Sequence, residues 1–308
     1  MHPALSIIVF TTLSGFGYGL AAVLGFGLLD PQFVATKIAH ILALALIAGG
    51  LTSSTLHLGN PQRAWRALSQ WRTSWLSREG VMAIATFIPL CIAAYGAIFH
   101  DRYLPLPGII GAIMSAITVY CTSMIYGSMK SVQAWHTRLT PTTYLLFSAA
   151  GGALLGTVFA VIGGSGVLFL MLLSVIFLAA AWAVKSRWRR RMETMQPLST
   201  PESATGLGFI GQVRLFERPH TNDNYLTREM GFQIARKHAA KLVGISYLLG
   251  GIVPAILLVL TLVAGAAAYA TAITLVTLAV IIHFAGVFVE RWLFFAEARH
   301  VVMNYYGR

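Results

Sequence analysis

The residues best equipped for chemistry in this 308-residue chain are His57 and Glu79, separated by a short polar connection. An imidazole titrates near neutral pH and can exchange a proton with a bound oxygen atom. A carboxylate at similar depth can accept that proton or relay it inward from water. Ser53 and Ser54 precede His57 by one helical turn on the same face, and Ser77-Arg78 runs directly into Glu79, so hydroxyl and guanidinium groups surround the pair. A plainer reading stands beside this one: Glu79 is a first-turn carboxylate favoured by the dipole of its helix.

The elements that must position these groups are apolar. With 57% hydrophobic and 10% charged residues, the composition is that of an all-α integral membrane protein. Stretches near 5–28, 34–57, 79–99, 107–128, 142–163, 166–185, 241–266 and 270–295 each approach the roughly 20 residues that cover a hydrocarbon core, which predicts an eight-transmembrane-helix bundle. They are too long for barrel strands. The first lacks a basic start and a small-residue cleavage site, so it is expected to stay as a span. Eight crossings place both termini and the connections 58–78, 129–141 and 186–240 on one side. Of 22 Lys and Arg residues, 20 fall on that side and only Lys37 and Arg102 on the other. Basic residues are retained in the cytoplasm, so this side, with both termini, is expected to face the cytoplasm from a bacterial inner membrane. The net charge of +12 is then chiefly an orientation signal, with anionic lipid as a partner for Trp188-Arg189-Arg190-Arg191. No nucleic-acid recognition motif accompanies it.

The basic side carries the longer connections. After Asn60-Pro61, the stretch Gln62 to Gln70 is expected to form a short interfacial helix with Arg63, Arg66 and Gln70 on one face and Trp65 and Leu68 on another. Trp71 and Trp75 are expected at headgroup depth. The connection 186–240, within a single domain 1–308, is long enough to be functional, and 221–237 is expected to be ordered and partly amphipathic. Gly15, Gly19, Gly25 and Gly27 are expected to open close helix approaches. Glu290 and Arg291 reach the same side near the end of the last span. They are site residues, a structural ion pair, or groups that snorkel to headgroups. His136, in the connection 129–141, lines a pocket or is a solvated loop histidine. Cys91 and Cys121 sit within spans and are read as packed thiols. Two cysteines cannot supply the roughly four ligands of an iron–sulfur cluster. His40 and His283 differ in depth by roughly 10 Å at 1.5 Å per residue, which disfavours a shared haem. The polar residues gather at one interface, unlike the midplane site of a secondary transporter.

The segments Ser54-Thr-Leu-His57-Leu-Gly-Asn-Pro61-Gln-Arg63-Ala-Trp-Arg66 and Ser74-Trp-Leu-Ser77-Arg78-Glu79 resemble the membrane anchor subunit family of dimethyl sulfoxide reductase. Met1-His2-Pro3-Ala4, Thr221-Asn-Asp-Asn and Arg291-Trp-Leu-Phe-Phe-Ala-Glu297 are most similar to membrane subunits of cytoplasmic sulfite dehydrogenase (quinone) complexes. The resemblance implies a three-subunit oxidoreductase. A molybdopterin catalytic subunit oxidises sulfite, electrons pass through the iron–sulfur clusters of a ferredoxin-like subunit, and the anchor hands them to ubiquinone or menaquinone. It also implies that His57 and Glu79 are the quinone groups, with Arg63, Arg66 and Arg78 as supports or docking contacts. Ser54, Ser77, Trp75, His136 and Arg291 complete the candidate quinone set. A reductase anchor taking electrons from quinol is the alternative, and a purely structural anchor also stands. Dimethyl sulfoxide reductases usually carry their catalytic subunits outside, so the inward basic face favours sulfite oxidation.

Overall fold

The computed structural model describes residues 3–56, 60–217, 222, 230, 234–264 and 269–306. Helices α1 (Leu5–Gly25), α2 (Val34–Thr55), α3 (Trp75–His100), α4 (Pro105–Gly127), α5 (Leu139–Gly163) and α6 (Val167–Thr194) are followed by the short α7 (Pro201–Thr205). Then come α8 (Ile234–Tyr247), a π-helical segment Leu248–Ile252, α9 (Val253–Ala264) and α10 (Tyr269–Ala296). Eight helical stretches are long and apolar enough to cross a membrane, the seventh being the continuous run His238–Val263. Two expected boundaries shift. The third helix starts at Trp75, capped by the Ser74 hydroxyl at 3.4 Å from the Ser77 amide, so Glu79 lies beyond the first turn and gains little from the helix dipole. The sixth runs on to Thr194, carrying Lys185 and Arg189 as helix residues.

Close backbone approaches hold the centre together. A Cβ on Gly19 would run into the Ser148 carbonyl and one on Gly25 into the Gly108 carbonyl, so α1 lies directly against α5 and α4. Gly15 does not serve this purpose, because nothing approaches its Cβ position within 4 Å. The π segment leaves the Gly250 carbonyl outside the regular ladder, where the Trp182 indole (2.8 Å) and a ring nitrogen of His283 bind it. His283 is thus a buried structural group stacked on Phe16. Cys121 is packed, whereas Cys91 faces outward instead of into the bundle.

Contacts between connections define two faces. On one, Lys37 pairs with Asp101 (2.6 Å), and the Tyr103 hydroxyl donates to the Gly25 carbonyl (2.8 Å). On the other, the Ser53 hydroxyl donates to the Ser6 carbonyl (3.0 Å), and the Val301 amide to the Ser131 carbonyl (3.0 Å). There too the Asn304 amide group donates to the Ser199 carbonyl (2.9 Å), and the Tyr305 hydroxyl to Ala204 (3.0 Å). This second face collects the basic connections and the C-terminal 3-10 helix Val301–Tyr306.

Candidate functional site

The connection into α3 is built on itself. Pro61–Gln70 forms a 3-10 helix, although Asn60 supplies no side-chain cap, and Leu68 reaches over Gly80. The Ser77 hydroxyl donates to the Ala67 carbonyl, tying that helix to α3. Arg78 donates to the carbonyls of Trp71 (3.0 Å) and Arg72 (2.6 Å) and lies over the Trp75 ring at 4.3 Å. Ser77 and Arg78 therefore hold the connection in shape. Trp75 packs edge-on against Tyr120 of α4.

Glu79 points inward from this frame. It is 6% exposed, and its Oε1 accepts a hydrogen bond from the Thr122 hydroxyl of α4 at 2.8 Å. A carboxylate at such burial is costly unless paired or functional. Thr122 also lines a cavity of about 10 Å³ with Thr11, Thr12, Tyr144 and Arg291, a volume near that of one water molecule. The site carboxylate is thus one hydroxyl away from a polar chamber among α1, α4, α5 and α10.

His57 lies outside the described residues, so its expected meeting with Glu79 rests on the sequence. Ser54 turns back on its own helix, donating to the Leu51 carbonyl (2.7 Å). Arg63 and Arg66 are exposed, with Arg66 at 5.5 Å from the Trp65 ring. His136 is exposed, with Nδ1 2.9 Å from the Gly127 carbonyl, and does not join the Glu79 pocket. Most of the expected amphipathic segment 221–237 also lies outside the described residues.

Of the readings open for the end of the last span, the structural ion pair is the one that forms, and it is buried instead of interfacial. Glu290 (1% exposed) and Arg291 (2%) are buried among helices. Glu290 pairs with Lys185 of α6 at 2.6 Å and has Arg291 Nε at 3.6 Å, while Arg291 stacks on Tyr144 at 3.6 Å and Lys185 on Trp188 at 3.6 Å. One turn on, Arg189 makes a two-pronged bond to Glu297 (2.7 and 2.9 Å). This ladder of α6 and α10 charges borders a crevice of about 410 Å³ at the basic face, lined in part by Gln133, Pro197, Glu297 and His300. Burial pushes the His300 imidazole below its usual pKa, and its Nδ1 accepts the Val302 amide (3.1 Å) as a neutral ring. Thr122 and Lys185 escaped the sequence reading. Ser115, Thr118 and Thr122 repeat at helical spacing in α4, and that stripe was the available signal for the first of them. Among the described residues, no group of three or more His, Cys, Asp or Glu side chains comes together to hold a metal.

Helices of this length and composition, with two buried carboxylates, Glu79 and Glu290, toward the basic face, define a multi-pass α-helical membrane protein. The family model described as DMSO reductase anchor subunit (DmsC) matches residues 1–296, and the protein belongs to that family. It is 33% identical to the C subunit of sulfite dehydrogenase from Allochromatium vinosum, over 99% of both sequences. It is also 26% identical to the C polypeptide of anaerobic dimethyl sulfoxide reductase from Escherichia coli, over 49% of this sequence and 55% of that one. The corresponding polypeptide of Haemophilus influenzae is 27% identical over 48% and 55%. No solved structure matches the protein.

Proposed function

We propose that this protein is the quinone-reducing anchor of a sulfite dehydrogenase. It would hold a molybdopterin catalytic subunit and a ferredoxin-like iron–sulfur subunit on the cytoplasmic side of a bacterial inner membrane. The net reaction is sulfite plus water plus quinone giving sulfate plus quinol: two electrons leave sulfur, water supplies its oxygen to sulfate, and two protons join the quinone. The anchor's part is the last step, in which Glu79 and His57 supply protons to the quinone oxygens while electrons arrive from the partner's clusters. The observation that carries the reading is the buried Glu79 carboxylate, bonded among the described residues only to a hydroxyl and set just under the basic face, in a protein similar end to end to a sulfite dehydrogenase subunit. The partial matches to dimethyl sulfoxide reductase polypeptides keep the reverse direction as the second reading.

Purification from native membranes should bring down one polypeptide with molybdenum and another with iron and labile sulfide. The assembly should reduce a quinone analogue at the expense of sulfite. A preparation that oxidises quinol with dimethyl sulfoxide and ignores sulfite would replace this reading with the reductase one.

The docking face has its own signature. In the connection after α7, Phe209 is 86% exposed, and Ile210 and Phe216 of the same connection are exposed as well. Exposed apolar groups grouped on an extramembrane segment mark an interaction surface, and aromatic anchors dominate such interfaces. Phe209→Asp with Phe216→Asp should weaken retention of the iron–sulfur subunit by at least about 30-fold, at about 2 kcal/mol or more for a central anchor. Pull-down yield at matched anchor levels measures it, and wild-type recovery would remove this segment from the interface.

A further inference from the structure

We propose that the quinone serving Glu79 lays its isoprenoid tail in an apolar groove between α1, α4, α5 and α6; this rests on the quinone reading above. The groove has a volume of about 420 Å³, and its apolar walls include Ala22, Phe26, Ala116, Ala149, Phe169 and Phe177. Phe26 (55%) and Phe169 (56%) are half-exposed at one end and Ala116 is exposed along the wall, so the groove is reached sideways from lipid. The hydroxyl-bearing residues lining it are Tyr18, Ser115 and Ser148. The Ser148 hydroxyl donates to the Gly15 carbonyl at 2.6 Å, whereas the buried Ser115 hydroxyl has no hydrogen-bond partner among the described residues. Such groups are uncommon in a folded interior and mark a place where a ligand can bond.

That hydroxyl end adjoins the small chamber beside Thr122, since Ser148 lines both. Ser115, Thr118 and Thr122 form one stripe of α4. Thr122 donates to Glu79, and Thr118 lies 3.0 Å from Thr86, two turns along α3 from Glu79. Seven residues of helix carry this paired row about 10 Å inward from the carboxylate.

The order of polar and apolar groups selects the occupant. A phospholipid keeps its head at the membrane surface and its chain ends at the midplane. Here the surface end of the groove is aromatic, at Phe26 and Phe169, and the hydroxyls lie at the inner end. A polar ring held toward Glu79 with a long tail running outward past Ala22 and Ala116 matches that order, as in a prenyl quinone.

Filling the groove tests this. In the purified complex, Ala116→Phe or Ala149→Phe should raise the Kd of a long-tailed prenyl quinone about tenfold, read by fluorescence quenching. A tail-less quinone with the same ring should bind within about twofold of wild type. Unchanged binding of both, or displacement of phospholipid and not quinone from the filled variants, overturns the proposal. In the unmodified complex, a quinone with a photoreactive tail should label groove residues of α4 or α6, and labelling elsewhere is equally fatal, whether or not the variants assemble. Glu79→Gln tells the two readings apart. It should impair turnover of both quinones alike, and if it impairs neither, the ring site is wrong while the tail measurements still decide the groove.

Discussion

Glu79→Gln should lower quinone-coupled turnover of the assembled enzyme by about 10²- to 10⁴-fold, the range that a positioned proton donor or acceptor contributes. Oxidation of the catalytic subunit's substrate by an artificial dye, which bypasses the membrane, should stay at the wild-type rate. The substitution separates chemistry from packing, because a glutamine carbonyl can still accept the Thr122 hydroxyl at the position where Oε1 does so now. What disappears is the ability to take up and release a proton. Thr122→Val removes the donor and leaves the carboxyl buried without it, at a cost of about 1 to 3 kcal/mol for an unsatisfied buried group, so its effect on turnover should be smaller and mixed with a loss of stability. His57→Ala should resemble Glu79→Gln in leaving the dye assay intact. A Glu79→Gln complex reducing quinone at the wild-type rate would end the proton-transfer reading.

How far the sequence alone could be read depended on the kind of signal. The spans were legible because a bilayer sets a length and excludes charge, so apolar runs between polar connections fix existence and number. Their ends were less so. Ser74 is a helix cap that ordinary N-cap preferences would have placed at the start of α3, but the charged Arg78-Glu79 pair suggested an interface there and shifted the expected start to 79. Glu79 itself was legible as a site candidate because a carboxylate in a span is rare. Its partner was not, since threonines are common in spans and only the α3–α4 packing selects Thr122 from among them. Lys185 was missed for a related reason. At the end of an apolar run it reads as an orientation charge able to snorkel, and only the continuation of α6 to Thr194 buries it against α10. For Glu290 and Arg291 the ion pair was legible, but not its burial among helices, for the same reason.

Glu290→Ala should be the most destabilising single change in the charged ladder, by about 3 to 5 kcal/mol, because removing one partner of a buried pair leaves an uncompensated charge. The asymmetry within the cluster sharpens the prediction. Glu290 faces two cations, Lys185 Nζ at 2.6 Å and Arg291 Nε at 3.6 Å, so its loss strands both. Lys185→Met leaves Glu290 beside Arg291, which keeps one opposite charge in reach, and should cost less. Adding Lys185→Met to Glu290→Ala should then recover part of the loss, since one of the stranded cations is gone, a coupling that a double-mutant cycle on thermal unfolding in detergent can measure. Arg291 keeps its seat on the Tyr144 ring in every variant, so the recovery should be incomplete. The consequence reaches the basic face through the next turn, where Arg189 grips Glu297 and the segment behind it carries Val301 and Asn304 onto the connections at Ser131 and Ser199. Destabilised variants should therefore lose partner subunits before they lose insertion. If Lys185→Met costs as much as Glu290→Ala and the double variant recovers nothing, the ladder is not a charge-balanced unit, and the platform draws its stability from apolar packing alone.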